Sequence, residues 1–338
     1  MVDAPHSRFQ LPDRSYQAIV RSELKRIADT AGFSGHRLGE LEIIIAEITS
    51  NLIKHASKGG EILAKPFSLP GKGMEIIAID NGPGMSRPLK MMEDGVSSSK
   101  TLGQGLGAIR RLSDNFDLYS LPGWGTVLWS RVFVDRKQVP PKNVIDISVL
   151  NTAKQGEEVS GDAWNFNRTA KNLRIMLIDG LGHGVQANIA AREALSSFRH
   201  NNTLRPSEQL RTMHADLKKT RGGVVSVVQI DEVNNQVVYS GVGNISMKLL
   251  SGGRSKGCFS YNGIVGHIMP STLEDHQIHW DKQTDILVIH SDGVSARWDV
   301  AKYPGILQHS GMILCGALYK DFNRNNDDST ILVVKFVK

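Results

Sequence analysis

Cysteine is nearly missing from this chain. Cys258 and Cys315 are all it has among 338 residues, and no CxxC pair occurs. That excludes a disulfide framework and a thiolate zinc site, and it fits a reducing, cytoplasmic setting. No apolar run approaches the roughly 18 residues of a membrane span, and residues 1–14 lack the apolar centre of a secretory signal. The G-x-x-x-x-G-K-[S/T] phosphate loop is absent as well, as are internal repeats and low-complexity tracts. The excess of positive charge is small, 40 Lys and Arg against 34 Asp and Glu. Those basic residues are dispersed and no DNA- or RNA-binding motif accompanies them, so they read as a solvated surface. Neither a nucleic acid nor a membrane is expected as a partner.

What remains is enough for two domains with separate cores. Hydrophobic periodicity predicts helices over 15–31, with Ser15 as cap, and over 37–56, where Leu41, Ile44, Ile48 and Leu52 repeat at helical spacing. Strands are expected at 61–67 and 74–80, then a hairpin of 116–121 and 125–134 turned at Pro122-Gly123. Consecutive prolines at Pro140-Pro141 forbid regular structure, which places a linker at 137–143 between domains spanning 1–136 and 144–338. Beyond it come short apolar strands at 144–150, 173–179, 223–231, 235–241, 245–250, 284–290 and 330–337. Helices near 184–200, 206–219 and 304–319 interrupt them. Strand-rich segments with a few helices point to an α+β sandwich.

Three ordered motifs mark the first domain. Glu47, Asn51 and His55 are spaced by four, so they form one stripe on the second helix. The stripe can be a solvated face, or Glu47 can serve as general base and Asn51 as an oxygen ligand for Mg2+. Asp80 ends an apolar strand and is followed by Asn-Gly82-Pro-Gly84, where glycines admit close approach of a ligand. Its carboxylate can accept a hydrogen bond from an adenine amino group. Gly103-Gln-Gly105-Leu-Gly107 then opens a helix whose free N–H groups favour phosphate.

In this order, and with Gly123-Trp-Gly125-Thr126 behind them, the motifs resemble the ATPase fold shared by DNA gyrase, heat-shock chaperones and histidine kinases. The resemblance covers roughly residues 15–135. A short lid and a Glu four residues before the Asn look most like the serine kinases of anti-sigma pathways, which phosphorylate STAS-domain antagonists of the stressosome. It implies Glu47 as general base, Asn51 as magnesium ligand and Asp80 as adenine partner. Gly82, Gly84, Gly103, Gly105 and Gly107 would shape the pocket and lid, with Thr126 near the base or phosphates. Lys100, in the lid, is either a solvated lysine or a contact to the terminal phosphate.

Acids beside glycine or a second acid recur through the second domain: Gly161-Asp162, Asp179-Gly180, Asp292-Gly293 and Asp327-Asp328. Each alone reads as a turn. Together they form an oxygen-only donor set suited to Mg2+ or Mn2+, and two such ions can activate water against a phosphoryl group. Followed by Ser329-Thr330, and with Asp179-Gly-Leu-Gly-His-Gly184 and Gly241-Val-Gly-Asn244, they resemble the metal-dependent 2C-type protein phosphatases. The bacterial branch, the stage II sporulation and stressosome-resetting phosphatases, is most similar, across 144–338. That resemblance implies that Asp179 bridges two metals and that the Gly180 carbonyl joins one of them. Asp292 and Asp327 would hold the other, and Asp162 would contribute directly or through water. Asp327 is preferred to Asp328 from the motif alignment. His183, at a helix entry, is either structural or a proton donor.

The expected fold is thus α+β: an N-terminal gyrase/histidine-kinase-like ATPase α/β sandwich, then a C-terminal 2C-type phosphatase α-β-β-α sandwich. The expected activity is bifunctional. With ATP and Mg2+ the chain would phosphorylate a STAS-domain protein or another anti-sigma component, and with Mg2+ or Mn2+ it would hydrolyse phosphoserine. The alternative is an active phosphatase whose first domain binds ATP and sequesters a partner without turnover.

Overall fold

A computed structural model describes residues 4–56, 59–92, 105–140, 145–252 and 254–337. The chain divides into two compact units. One contains residues up to 143 together with Gly305–Lys320; the other contains 144–304 and 321–338. The segment 305–320, expected within the second domain, therefore packs with the first. The linker residues 141–143 lie outside the described residues.

The first unit runs β1 (Ser7–Leu11), α1 (Gln17–Ala31), α2 (Gly35–His55), β2 (Gly60–Phe67), β3 (Gly73–Asp80), the single turn α3 (Pro88–Met91), α4 (Gly105–Leu112), β4 (Asn115–Leu121) and β5 (Gly125–Phe133). Its strands form one antiparallel sheet in the order β1-β2-β3-β5-β4. Alternation along β3 separates two faces. Met74, Ile76 and Ala78 join Leu24, Leu41, Ile44 and Ile48 of the helices in one core, whereas Glu75, Ile77 and Ile79 face the other way. Strand β1 was not expected; its residues are polar apart from Phe9 and Leu11, too few for an alternating signal. Ser15 does not cap α1. It sits in a short 3-10 turn capped by Asp13, and α1 follows from Tyr16.

The second face of this sheet meets a helix from far along the chain, Gly311–Phe322. A side chain on Gly316 would lie 2.6 Å from Val127 and 3.7 Å from Ile77. Every residue of that helix from Gly311 to Tyr319 is buried, as expected of a helix apolar on all sides. Just before it, Asp117 of β4 accepts hydrogen bonds from the ring of His309 (2.8 Å) and the amide of Ser310 (2.7 Å). Burial raises the Asp117 carboxyl, but those partners outweigh it and hold it below the ordinary range. At the helix end Lys320 stacks over the Trp124 ring at 4.4 Å. The helix begins at Gly311, not 304, because Gly305 at φ 79° opens a separate 3-10 turn.

On the same face, Glu75 is fully buried yet well partnered. His6, Lys65 and Arg131 lie within 3.3, 3.7 and 3.1 Å of its oxygens, and the Trp129 indole donates at 3.0 Å. Burial opposes its charge, and the cations overcome that and keep it ionised.

The second unit stacks two antiparallel sheets. Its elements are β6 (Ile145–Thr152), β7 (Asp162–Arg168), β8 (Asn172–Gly180), α5 (Gly184–His200), α6 (Pro206–Asp216), β9 (Gly223–Asp231), β10 (Gln236–Val242), β11 (Ser246–Ser251), β12 (Arg254–Gly257), β13 (His276–His279), β14 (Ile286–His290) and β15 (Ser329–Phe336). The sheet orders are β13-β10-β9-β8-β7 and β12-β11-β14-β15-β6. Leu173, Ile175 and Leu177 of β8 face Leu287, Ile289 and Leu332 of the second sheet. Met176 and Ile178 turn the other way, onto Ala191, Leu195 and Phe198 of α5 and Leu210 of α6. Strands β7, β12 and β13 were not expected: four residues of polar β12 and β13 carry no periodic signal, and β7 mixes Asn with aromatics. Among the described residues no helix is long and apolar enough to cross a membrane.

The returning helix generates a prediction. Gly316→Leu in the full chain should destabilise it by about 1–3 kcal/mol through overpacking against Val127 and Ile77. Urea denaturation checks this, and an unchanged midpoint would show that the helix does not press on the sheet.

Candidate functional sites

In the first unit, α2 and α4 bring three of the expected residues together. A side chain at Gly105 would lie 2.7 Å from the Glu47 carboxylate and 3.6 Å from the Asn51 amide oxygen, so the start of α4 faces the acid and the amide directly. Gly107, in the first turn of α4, is buried. Gly103 and Lys100 lie outside the described residues. His55 does not extend the stripe into the site: its side chain is exposed, and its carbonyl abuts Gly82.

Asp80 ends β3. It pairs with Thr126 across β3 and β5, and its carboxylate accepts from the Gly82 amide at 2.7 Å. Burial dominates and pushes its carboxyl up, while bonding to Gly82 and Thr126 and the charge of Lys320 pull the other way. The loop is seated by close backbone approaches. Gly84, at φ 69°, lies where a side chain would strike the Leu121 carbonyl, and Gly125, at φ 115°, where one would strike that of Asp80. The Gly123 amide donates to the Pro83 carbonyl at 2.7 Å, and Ser120 reaches Met85 and Thr126. Lys320 was not legible as part of this neighbourhood, since it lies 240 positions beyond Asp80.

In the second unit the four acidic motifs meet at the strand ends. Asp162 and Asp179 are directly paired across β7 and β8. Ser291, which sequence reasoning gave no role, ties the sheets together there. Its hydroxyl donates to Asp162 Oδ2 at 2.6 Å and accepts from the Thr330 amide at 3.0 Å. The other oxygen of Asp162, Oδ1, is buried without a hydrogen-bond partner. The Asp292-Gly293 turn passes so close to Asp328 that a side chain on Gly293 would lie 2.0 Å from its carbonyl. Gly180, similarly, has the Ala187 carbonyl where a side chain would begin, and its amide donates to Gly161.

Asp327 and Asp328 differ in environment. Asp328 is buried and spends both oxygens on the amides of Lys154 and Gly161, each at 2.8 Å. Asp327 lines a cavity of about 460 Å3 together with Asp179, Asp292, Leu181, Gly182 and Asn244. Asn244 donates to Asp292 Oδ2 at 2.8 Å. His183 pairs with Glu157 at 2.6 Å at the mouth of α5. Among the described residues no three potential ligands are already gathered about one point, so the acids converge on a cavity and do not form a closed cage.

Electrostatics single out the same group. Burial, then the charges of Asp162, Asp292, Asp327 and Asp328, push the Asp179 carboxyl far above the ordinary range. Burial, with Asp328 and Asp292 beyond it, does the same to Asp162 against the pull of Ser291. Crowded acids with one orphaned buried oxygen fit hard divalent cations such as Mg2+, which take carboxylate and carbonyl oxygens.

Comparison with known proteins also finds two domains, the second running without a break through 305–320, the segment that packs with the first unit. Residues 11–131 match the model of the histidine kinase-like ATPase domain, and residues 169–337 match that of stage II sporulation protein E (SpoIIE). The chain belongs to both families. It is 37% identical to the serine/threonine-protein kinase RsbT of Bacillus subtilis (strain 168) over 102 residues, covering 30% of this chain and 77% of RsbT. It is 27% identical to the phosphoserine phosphatase RsbX of the same organism over 161 residues, 47% of this chain and 79% of RsbX. A crystal structure of RsbX in complex with magnesium shares the fold of the second unit, with a TM-score of 0.51 and 21% identity. That match covers 59% of this chain and 98% of the other. A kinase-like ATPase domain and a 2C-type phosphatase domain thus share one polypeptide.

The crowding has a measurable consequence. A carboxyl raised above its unfolded value of about 4 stabilises the fold at low pH, and that contribution is lost as pH rises through the folded value. In chelator, stability should therefore fall as pH is raised from about 5 to 8, and Asp179→Asn should flatten that slope and raise the melting temperature. Differential scanning calorimetry reads both; a variant less stable than wild type at pH 8 in chelator would contradict the repulsion.

Proposed function

We propose that this chain is a bifunctional regulator of partner-switching signalling. Its first domain would transfer phosphate from Mg-ATP to a serine or threonine of a STAS-type partner, and its second would hydrolyse phosphoserine or phosphothreonine. The observation that carries the reading is the pair of sites in one chain: Glu47 and Asn51 facing Gly105, and the aspartates converging on one cavity.

In the first site Asp80 would accept the adenine amino group, with Thr126 and Gly82 holding its carboxylate. Gly84 and Gly125 let the backbone close around the ring, and Gly103, Gly105 and Gly107 would cover the phosphates. Asn51 would present its amide oxygen to Mg2+. Glu47, next to it, would take the proton of the partner's hydroxyl as the oxygen attacks the terminal phosphorus. Proton abstraction by a positioned base supplies about 10²–10⁴-fold in rate, and a domain serving only to sequester a partner has no need of one.

In the second site Asp179, the Gly180 carbonyl, Asp292 and Asp327 would hold divalent ions, Mg2+ or Mn2+, with Asp162 contributing directly or through water. When bound, such ions lower the pKa of water and neutralise phosphoryl oxygens. The chain's own part is to fix the ligands: Ser291 anchors Asp162, Asn244 orients Asp292, and the Asp328 amide donates to one oxygen of Asp327 while the Asp328 carboxylate is committed to other amides. The serine kinase and phosphoserine phosphatase activities named for RsbT and RsbX support the same two chemistries here.

Two variants separate the activities. Glu47→Gln should lose phosphotransfer by about 10²–10⁴-fold while retaining ATP affinity by calorimetry. Normal turnover in that variant would remove Glu47 as base, and a wild type that binds ATP without phosphorylating any STAS partner would favour sequestration. Asp292→Asn should abolish Mg2+- or Mn2+-dependent release of phosphate from a phosphoserine peptide and leave the kinase reaction untouched. Hydrolysis that persists in chelator would eliminate the two-metal site.

A further inference from the structure

The second unit also carries a cation that the metal chemistry does not use. Arg221 sits in the turn between α6 and β9, and that turn is fixed on three sides. The Gly222 amide donates to the Thr220 hydroxyl at 3.0 Å, the Thr220 carbonyl meets the His267 ring at 3.1 Å, and the Leu181 amide donates to the Gly222 carbonyl at 3.0 Å. The last of these bonds ties the turn to the loop that follows Asp179. Gly222, at φ 69°, has the Val265 carbonyl where a side chain would begin, so the backbone here has one path.

From that fixed turn the guanidinium reaches the same loop. A side chain on Gly182 would lie 2.9 Å from Arg221 Nη1, and Gly182 and Leu181 line the cavity with Asp179, Asp292 and Asp327. Arg221 is exposed, and among the described residues it makes no hydrogen bond or ion pair. An arginine beside a cavity of aspartates would be expected to lie on one of them. This one lies beside a glycine instead, with its donors uncommitted.

We infer that Arg221 binds the phosphate of the phosphoserine substrate at the rim of the aspartate cavity. The inference rests on the phosphatase reading and adds a specificity residue to it. A phosphate monoester brings about −1.5 to −2 charges near neutral pH into a site already rich in carboxylates. Cations held by those carboxylates are largely neutralised by them, so a separate guanidinium adds attraction that the metal ligands cannot. Its planar fork matches two phosphate oxygens at once, which an ammonium does not. Gly182 leaves free the space beside the loop that the guanidinium takes up.

Inorganic phosphate is the probe, because it binds without turning over. In the full chain with Mg2+, Arg221→Gln should weaken phosphate binding by calorimetry about 10- to 100-fold, the range for a hydrogen-bonded charged group. Arg221→Lys should fall between that variant and wild type, and Mg2+ affinity should be unchanged in both. With a phosphoserine peptide the loss should appear mainly in KM. Phosphate affinity within twofold of wild type in Arg221→Gln would overturn the assignment. So would a parallel loss of Mg2+ affinity, which would mean that Arg221 only shapes the Asp179 loop. A wild type that binds no phosphate in Mg2+ fails differently: it sinks the phosphatase reading itself.

Discussion

The second unit is organised around a repulsion. Asp162 and Asp179 face each other across two hydrogen-bonded strands, and Asp292, Asp327 and Asp328 arrive from the other sheet. Nothing in the local chain favours such crowding, since each acid raises the others. It is held because the strands that deliver the acids are buried on both faces, with Ile175 and Leu177 on one side of β8 and Met176 and Ile178 on the other. Moving an aspartate out of the cluster would slip a strand and reverse its apolar face. The stability of the core is thus what opposes the charge.

The same logic explains why the smaller polar residues matter. Ser291 bonds to Asp162 on one sheet and to Thr330 on its own, so a hydroxyl sets the spacing of the two strand ends. Asp328 accepts two backbone amides, which turns it into a structural brace beside a cavity-facing neighbour. Two adjacent aspartates of identical intrinsic chemistry thus end in different surroundings, Asp328 with both oxygens on amides and Asp327 at the cavity with one oxygen on the amide of Asp328.

Much of this was legible in the sequence. Glycines next to acids marked the ends of strands, and helical spacing on α2 put Glu47 and Asn51 on one stripe; the structure adds that Gly105 faces both. What was illegible depended on distance along the chain or on a lack of pattern. Strand β1 is short and polar, and it exists because it can extend the sheet edge beside β2. The return of residues 305–320 to the first unit leaves no periodic trace, because an all-apolar helix looks alike whichever core it joins. Ser291 lay unread beside a conspicuous Asp-Gly, and Arg221 looked like one dispersed charge among 40.

That returning helix bears on why the two domains share a chain. It lies in sequence between Asp292 and Asp327, two of the acids at the cavity, and it folds against the sheet whose strand β3 ends in Asp80. Six residues separate Lys320, which stacks on Trp124 and whose charge works against the upward shift of Asp80, from Asp327. The first unit therefore cannot complete the second face of its sheet without a segment that is covalently part of the phosphatase sequence. A simple joining of two independent domains through residues 137–143 would leave each with its own continuous chain. Here the chain passes between the units near 143, at 304 and at 320, so neither folds from one uninterrupted stretch, and separating them by cutting at the linker would remove from the ATPase unit a helix that its sheet buries.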